Sequence, residues 1–520
     1  MTGLTEIALL ARSGALTRAW VLFEARGGGM GDPAALALEG RILKGLAQRA
    51  AGEDRNLRLK RAEHAYAAAD ALSSAPYLLI NVATIAALLG DSVRAFNLAG
   101  EVLARLDVPG LDETPYYVAA MRAEVSLLMD DREGAERWLA EAISLHPSGR
   151  GEHASTLRQF SALLAAQGRD AAWLDAYRPS ACLHFAGHLG ISSDTSGGLR
   201  VEIDALLAEE RIGFGFGALA AGADLVVAEA LLARGAELHA ILPASIEDFA
   251  MASVEPFGAA WLDRYRACLA GAASVRIVAD AGRVHDPQAT ALAAEVAMGA
   301  AVLDARLHES RAIQLIVADE GKGDFGGGGN SERDGELWRA GGGAQHVLRW
   351  SRSADMPSSV IDHVRPDRQL GAVLLAAPGK GDMDEGAFAR WIDEGLSLIQ
   401  RAFGQADRGL TPDGALILSF ETPVAAAKAA QRIASLDLSD PPRIAGAYGI
   451  VHRIGDQLIG TPVAMAHRAL SAALPGMIVV TDLFAQAAAI HDSSLIAEPI
   501  GLHDLAGLTD PVALYALPDQ

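Results

Sequence analysis

Three glycine-bearing stretches of this 520-residue chain have the residue types that can hold a phosphate. The first is GFGFGALAAGAD, in which Gly215, Gly217 and Ala220 match the spacing G-x-G-x-x-[GA] between an apolar run and a helix-like segment. Backbone N–H groups at such a helix start favour an anion, and the glycines permit close approach to it. A dinucleotide site also needs an acid at the end of the next strand to hold a ribose. Here Glu237 opens that strand and Leu242-Pro243 closes it, so a nicotinamide site is not expected. The second stretch is GDFGGGGNSERDGELW, with Gly326, Gly327, Gly328 and Gly329 in a row. The third, APGKGD, lacks the upstream glycine and the Ser/Thr of a P-loop. Each feature also has a purely structural reading. Glycine lets a helix pack closely on a sheet, Asp224 suits a helix N-terminus through the dipole, and His188 suits a turn cap. The 14 histidines include no HExxH, and Cys182 and Cys268 lack metal-ligand spacing, so no metal and no required cofactor is expected.

The elements that must position these residues fall into three regions. Residues 180–350 alternate short apolar runs (ACLHFAG, RIGFGF, ELHAILP, SVRIVAD, AIQLIVAD) with helix-length segments. This is the pattern of an α/β Rossmann-like domain with a mostly parallel sheet. Residues 1–178 carry helical patterns, and two segments in them are alike: YLLINVATIAALLGDSVRAFNLAGEVL from Tyr77 and YYVAAMRAEVSLLMDDREGAERWLAEAI from Tyr116. The offset of about 40 residues, with Ala95 and Ala135 in matching places, resembles divergent tetratricopeptide-type repeats. That resemblance implies an all-α array with a concave face for a protein partner, or helices that brace the rest. Residues 351–367, SRSADMPSSVIDHVRPD, read as a linker. Residues 368–520 pair strands such as RIAGAYGIVH and MIVVTD with few intervening helices, which predicts an α+β domain.

Composition narrows the function classes. A net charge of −21 argues against nucleic acid and against an anionic membrane surface, because both are held by clustered Lys and Arg. No run reaches the ~18 apolar residues of a membrane span. The charged N-terminal stretch lacks the apolar core of a signal peptide, so a cytoplasmic location is expected.

Two family resemblances sharpen this reading. HFAGHLG (184–190), LAAGADLVVAEALLARGAELHAILP and the continuation DFAMASVEPFGAAWLDRYRACLAGAASV resemble the SLOG superfamily. Its Rossmann-like members include the lonely-guy phosphoribohydrolases and the DNA-processing protein A fold. The resemblance implies a nucleotide-like ligand over the glycine turns. Gly187, His188, Gly217, Gly222 and Asp224 would line it, and Gly326, Gly327, Gly328 and Gly329 would close it. The enzymatic members' PGGxGTxxE motif is absent.

From Gly371 onward, AVLLAAP, DGALILSFETPVAAAKAA, RIAGAYGIVH, IGTPVAMAHRA, PGMIVVTDLFAQ and LHDLAGLTDPVALYAL resemble, in order, a class III adenylate/guanylate cyclase domain. The resemblance implies a ferredoxin-like α+β fold that pairs head to tail, as a homodimer or with an intact cyclase. It also implies positions for two metal-binding aspartates, a purine-reading Lys and acid, and an Asn–Arg pair. The first aspartate position holds Ala377, and the second falls on Gly414, with Asp413 one place early. The purine positions hold Leu410 and Gln457 (beside Asp456), and the asparagine position holds Ala464. Arg468 alone is retained. Asp382, Asp384 and Glu385 read as an acidic helix start. An alanine cannot bind Mg²⁺. The expectation is a multidomain cytoplasmic sensor or scaffold of nucleotide signalling with a catalytically inactive cyclase region. The alternative is an enzyme, either a residual cyclase or a nucleotide hydrolase in the middle domain.

Overall fold

Alanine-rich segments punctuated by Pro, Asp and Gly make the N-terminal third of the protein helical. Its structure, a computed structural model, describes residues 3–29, 31–191, 196–279, 286–320, 329–353, 368–379, 385–386, 389–391, 393–394, 397, 408–410, 415–436, 440–454 and 457–518. The described helices of this third are α1 (Leu4–Arg12), α2 (Leu16–Ala25), α3 (Pro33–Ala47), α4 (Gly52–Ser73), α5 (Pro76–Leu88), α6 (Ser92–Leu106), α7 (Pro115–Leu128), α8 (Arg132–Leu145) and α9 (Arg150–Ala166). Several starts are written locally. Proline opens α3, α5 and α7, where a missing N–H costs nothing, and Asp32 and Thr114 cap two of them. The turns after α5 and α7 match in detail. Gly90 (φ 90°) and Asp130 (φ 64°) take the left-handed conformation, and Asp91 and Asp131 then cap α6 and α8. Ala95 and Ala135, one residue type at matching places, are buried in those helices.

The chain forms two compact units. The first comprises Met1–Pro179 with Leu307–Glu309 and Glu498–Ile500. The second holds the middle and C-terminal regions together.

In the second unit, β1 (Ala181–Gly187), α10 (Ser196–Glu209), β2 (Ile212–Gly217), α11 (Ala223–Ala233), β3 (Glu237–Leu242), α12 (Ile246–Ser253), α13 (Ala259–Gly271), β4 (Ser274–Ile277), α14 (Pro287–Leu307), β5 (Ala312–Ala318), α15 (Gly329–Ala340) and β6 (Ala344–Arg349) follow in turn. All six strands run parallel in the order β4-β3-β2-β1-β5-β6. A mixed sheet follows, from β7 (Arg368–Ala377), β8 (Arg408–Leu410), β9 (Leu416–Phe420), α16 (Pro423–Ala434), β10 (Arg443–Ile454), β11 (Gln457–Ile459), α17 (Thr461–Ala469), β12 (Ile478–Thr481), α18 (Asp482–His491), β13 (Glu498–His503) and β14 (Val512–Leu517). Its order is β13-β14-β12-β10-β7-β9-β8, with β11 paired to β10.

The period-2 alternation of β7 sorts its neighbours. Val373 and Leu375 face Ala466 of α17, while Ala372, Leu374 and Ala376 join a core with α16, α18 and α14. Helix α14 is apolar on several sides because it is covered on several sides. Leu292, Ala293, Val296 and Ala297 belong to one core with Cys182, Phe214 and Ile241 of the parallel sheet and with Phe484 and Ala488 of α18. Gly299 permits this: a Cβ there would run into the backbone of Gln486. Inside the same core Glu295, fully buried, accepts from Tyr448 Oη (2.9 Å) and pairs with Arg333 and with His491 (3.3 Å). Among the described residues no helix is long and apolar enough to cross a membrane.

Candidate functional site

The strand order sets where a ligand crevice lies. Strands β1 to β4 step one way across the sheet, and β5 returns to the other side of β1, so the switch point is between the C-terminal ends of β1 and β5. Gly187 and Val317 are partners there. The glycine run follows β5: Gly326, Gly327 and Gly328 lie outside the described residues, and Gly329 opens α15. The HFAGHLG turn lies at the end of β1, beside the end of β5.

The glycines of the first turn are crowded by the protein itself. A Cβ on Gly217 would sit 2.6 Å from Phe185 O and 2.7 Å from its ring. One on Gly187 would collide with Ala223 Cβ. Gly222 has φ +131°, and its Cβ would lie 2.7 Å from His188 O. Here the loop after β1 presses on the start of α11: Leu189 bridges Gly222, Ala223 N donates to His188 O (3.3 Å), and Gly190 N donates to Ala221 O (3.1 Å). At Gly187, Gly217 and Gly222 the protein's own atoms thus leave no room for a side chain.

His188 and Asp224 are likewise turned inward. The imidazole is 5% exposed, with Nε2 2.7 Å from Trp350 O and Nδ1 3.1 Å from Leu189 O. Burial lowers its pKa, so the neutral ring donates to one carbonyl and helps fix the turn. Asp224, 7% exposed, accepts from Ala220 N (3.3 Å) through Oδ2, while Oδ1 has no hydrogen-bond partner among the described residues. Burial pushes this carboxyl up to about 7, against the backbone hydrogen bonds from Ala220 and Gly187. It puts an acid of the protein's own beside the α11 N-terminus, where the fingerprint would place a phosphate.

Residues 350–353 cross the end of β5. Trp350 N donates to Ala318 O (2.8 Å), and Ser353 N donates to Gly190 O (2.7 Å). Arg352 pairs with Asp319 at 3.2 Å, and Ser351 Oγ donates to Glu320 (2.5 Å).

In the mixed sheet, Ala377 ends β7 opposite Arg443 and is 6% exposed. Ala464 and Arg468 lie on α17, and Arg468 Nε donates to Ala506 O at 2.9 Å. Leu410 ends β8 and Gln457 begins β11. Glu385 is exposed, while Asp382, Asp384, Asp413, Gly414 and Asp456 lie outside the described residues. Among the described residues no group of three His, Cys, Asp or Glu could hold a metal ion.

Solved structures similar to this chain are nucleotide cyclase domains. An adenylate/guanylate cyclase/hydrolase from Silicibacter pomeroyi is 25% identical over 29% of this chain and 99% of its own, with a TM-score of 0.25. The adenylyl cyclase CyaB from P. aeruginosa is 17% identical over 29% and 95%, with a TM-score of 0.24. The guanylate cyclase domain of RhGC from Catenaria anguillulae, solved with GTP, is 16% identical over 29% and 97%, also at 0.24. No protein-family model and no curated protein matches the chain.

The sequence reading missed Asp319 and residues 350–353. Asp319 had a signal, since it is the acid that ends AIQLIVAD at the carboxyl end of a strand, where α/β sheets bind ligands. The return of 350–353 to Gly190 had none, because it joins residues more than 160 positions apart.

Proposed function

We propose that the chain is a sensor or scaffold of nucleotide signalling whose cyclase-like region does not turn over nucleoside triphosphates. The observation that carries this is Ala377. It ends β7 at the first metal position implied by the cyclase resemblance, and a methyl group offers a divalent cation no oxygen. Ala464 removes the amide of the Asn–Arg pair, and Arg468 donates through Nε to the backbone carbonyl of Ala506. The cyclase resemblance implies head-to-tail pairing, and on that ground a second copy or an intact cyclase is the expected partner.

The nucleotide-like ligand of the middle region is assigned to the β1–β5 crevice, near Gly187 and His188, rather than to the turn at Gly217. The helical unit is assigned a protein partner, and the setting is cytoplasmic.

Purified full-length chain incubated with ATP or GTP and Mg²⁺ or Mn²⁺ is expected to form no cyclic nucleotide above a protein-free blank. Turnover that Arg468→Ala abolishes would establish the residual-cyclase alternative instead. Release of a free base or ribose phosphate from nucleotides would point to a hydrolase in the middle region.

A further inference from the structure

Within the second unit, helices α14, α15 and α18 border a half-open cavity of about 210 Å³ that neither resemblance accounts for. It is smaller than the ~300–1,000 Å³ of drug-sized sites, so an occupant has a single ring or a similar compact body. Its apolar walls come from Val302, Ala312, Trp338 and Ile490, beside the polar Ser310 and Ser493. One wall is the backbone of three consecutive glycines after α15, 341 to 343, which presents no side chains. Trp338 is fixed, because its indole N–H donates to Ala344 O at 2.8 Å.

One cation enters this apolar space. Arg306, near the end of α14, lines the cavity and has no ion pair among the described residues. Its guanidinium reaches only Leu495 O and Ala489 O, both at 3.5 Å, which is the outer limit of a hydrogen bond. Five donors with two long contacts leave most of the group unspent. Burial lowers its pKa, and Asp492 counters this only in part. That carboxylate is itself engaged with Lys428 (3.3 Å) and with Ser494. An arginine serving only to cap the end of α18 would close on its carbonyls.

We infer that this cavity binds a small monoanion with a flat apolar body, an aromatic carboxylate being the matching chemistry, with the carboxylate on Arg306 and the ring against Val302 and Ala312. Carboxylate and guanidinium match in a planar, two-bond geometry, and the pair is strengthened by the surrounding apolar wall. Three helices meet at the site, so occupancy stabilises the second unit as a whole.

The test uses the full chain with benzoate as probe and benzamide, equal in shape but uncharged, as control. Benzoate is expected to raise the melting temperature saturably and benzamide to leave it unchanged. By calorimetric titration, Arg306→Met is expected to weaken benzoate at least about tenfold, the scale of one hydrogen bond to a charged group. Ser493→Phe, at an exposed position on the rim, is expected to keep the ligand-free melting temperature and lose the response. It decides the matter if Arg306→Met fails to fold. No benzoate response, an equal response to benzamide, or a response retained in Ser493→Phe would overturn the assignment.

Discussion

Two residues at the end of the parallel sheet separate packing from binding. Gly217 and Gly222 are glycine because Phe185 and the loop after β1 occupy the space that a side chain needs. Gly217→Val is therefore expected to destabilise the chain by about 1–3 kcal/mol, as overpacking of a tight core does. Denaturant unfolding measures it, and an unchanged midpoint would refute the packing account. Asp224 gives a pH signature. Its carboxyl titrates near 7 in the folded chain and near ~3.9 when unfolded, so the folded state binds the proton more tightly. Stability from this group is greatest below the unfolded value and falls as pH rises through the interval, flattening above about 7. Asp224→Asn removes the titration and keeps an acceptor for Ala220 N. It is expected to raise stability by roughly 1–3 kcal/mol at pH 8 and to lose that advantage near pH 4, followed by unfolding curves across pH. The glycine spacing was legible in the sequence. The inward direction of His188 was not, because its partner Trp350 comes from a segment that reads as the edge of a linker.

At the scale of elements, apolar runs announced themselves and polar or very short strands did not. The five expected strands of the parallel sheet are β1 to β5. The sixth, β6, was missed because three of its residues, Gln345, His346 and Arg349, are polar: Gln345 donates to Gln314 (2.6 Å), and His346 meets Glu210 (2.9 Å). In the mixed sheet β8 and β11 have three residues each, too few for any period, and β13 contains Pro499 and Gly501. The helical unit hides a polar layer that hydrophobic periodicity also passes over. Lys44 of α3 donates to Asn81 of α5 and to Gln159 of α9, both at 2.5 Å. Glu124 of α7 accepts from Thr84 and Gln159. Burial lowers Lys44 to about 8 and raises Glu124, with each charge partly countering the other's shift. Lys44→Met strands a buried carboxylate and is expected to cost about 3–5 kcal/mol, most of it recovered when Glu124→Gln is added. A double-mutant cycle reads this coupling, and simple additivity would contradict it. For the lysine the unfolded chain holds its proton more tightly, so its contribution to stability rises between pH 8 and about 10.5.

For the molecule as a whole, the middle and C-terminal regions share a core through α14 and are expected to fold as one unit. Neither region can lose its structure without exposing the helix that the other needs. Calorimetry is expected to show residues 180–350 and 368–518 melting in one transition. Gly299→Ala, which wedges α14 away from Gln486, is expected to lower that transition by more than about 2 kcal/mol without splitting it. Two separate transitions would mean the shared core is not cooperative. The strap beside this core carries a different consequence. Residues 350–353 reach over the end of β5 to Gly190. The β1–β5 crevice is thus latched by the backbone bond from Ser353 N to Gly190 O, and an occupant large enough to part the two has to satisfy both groups itself.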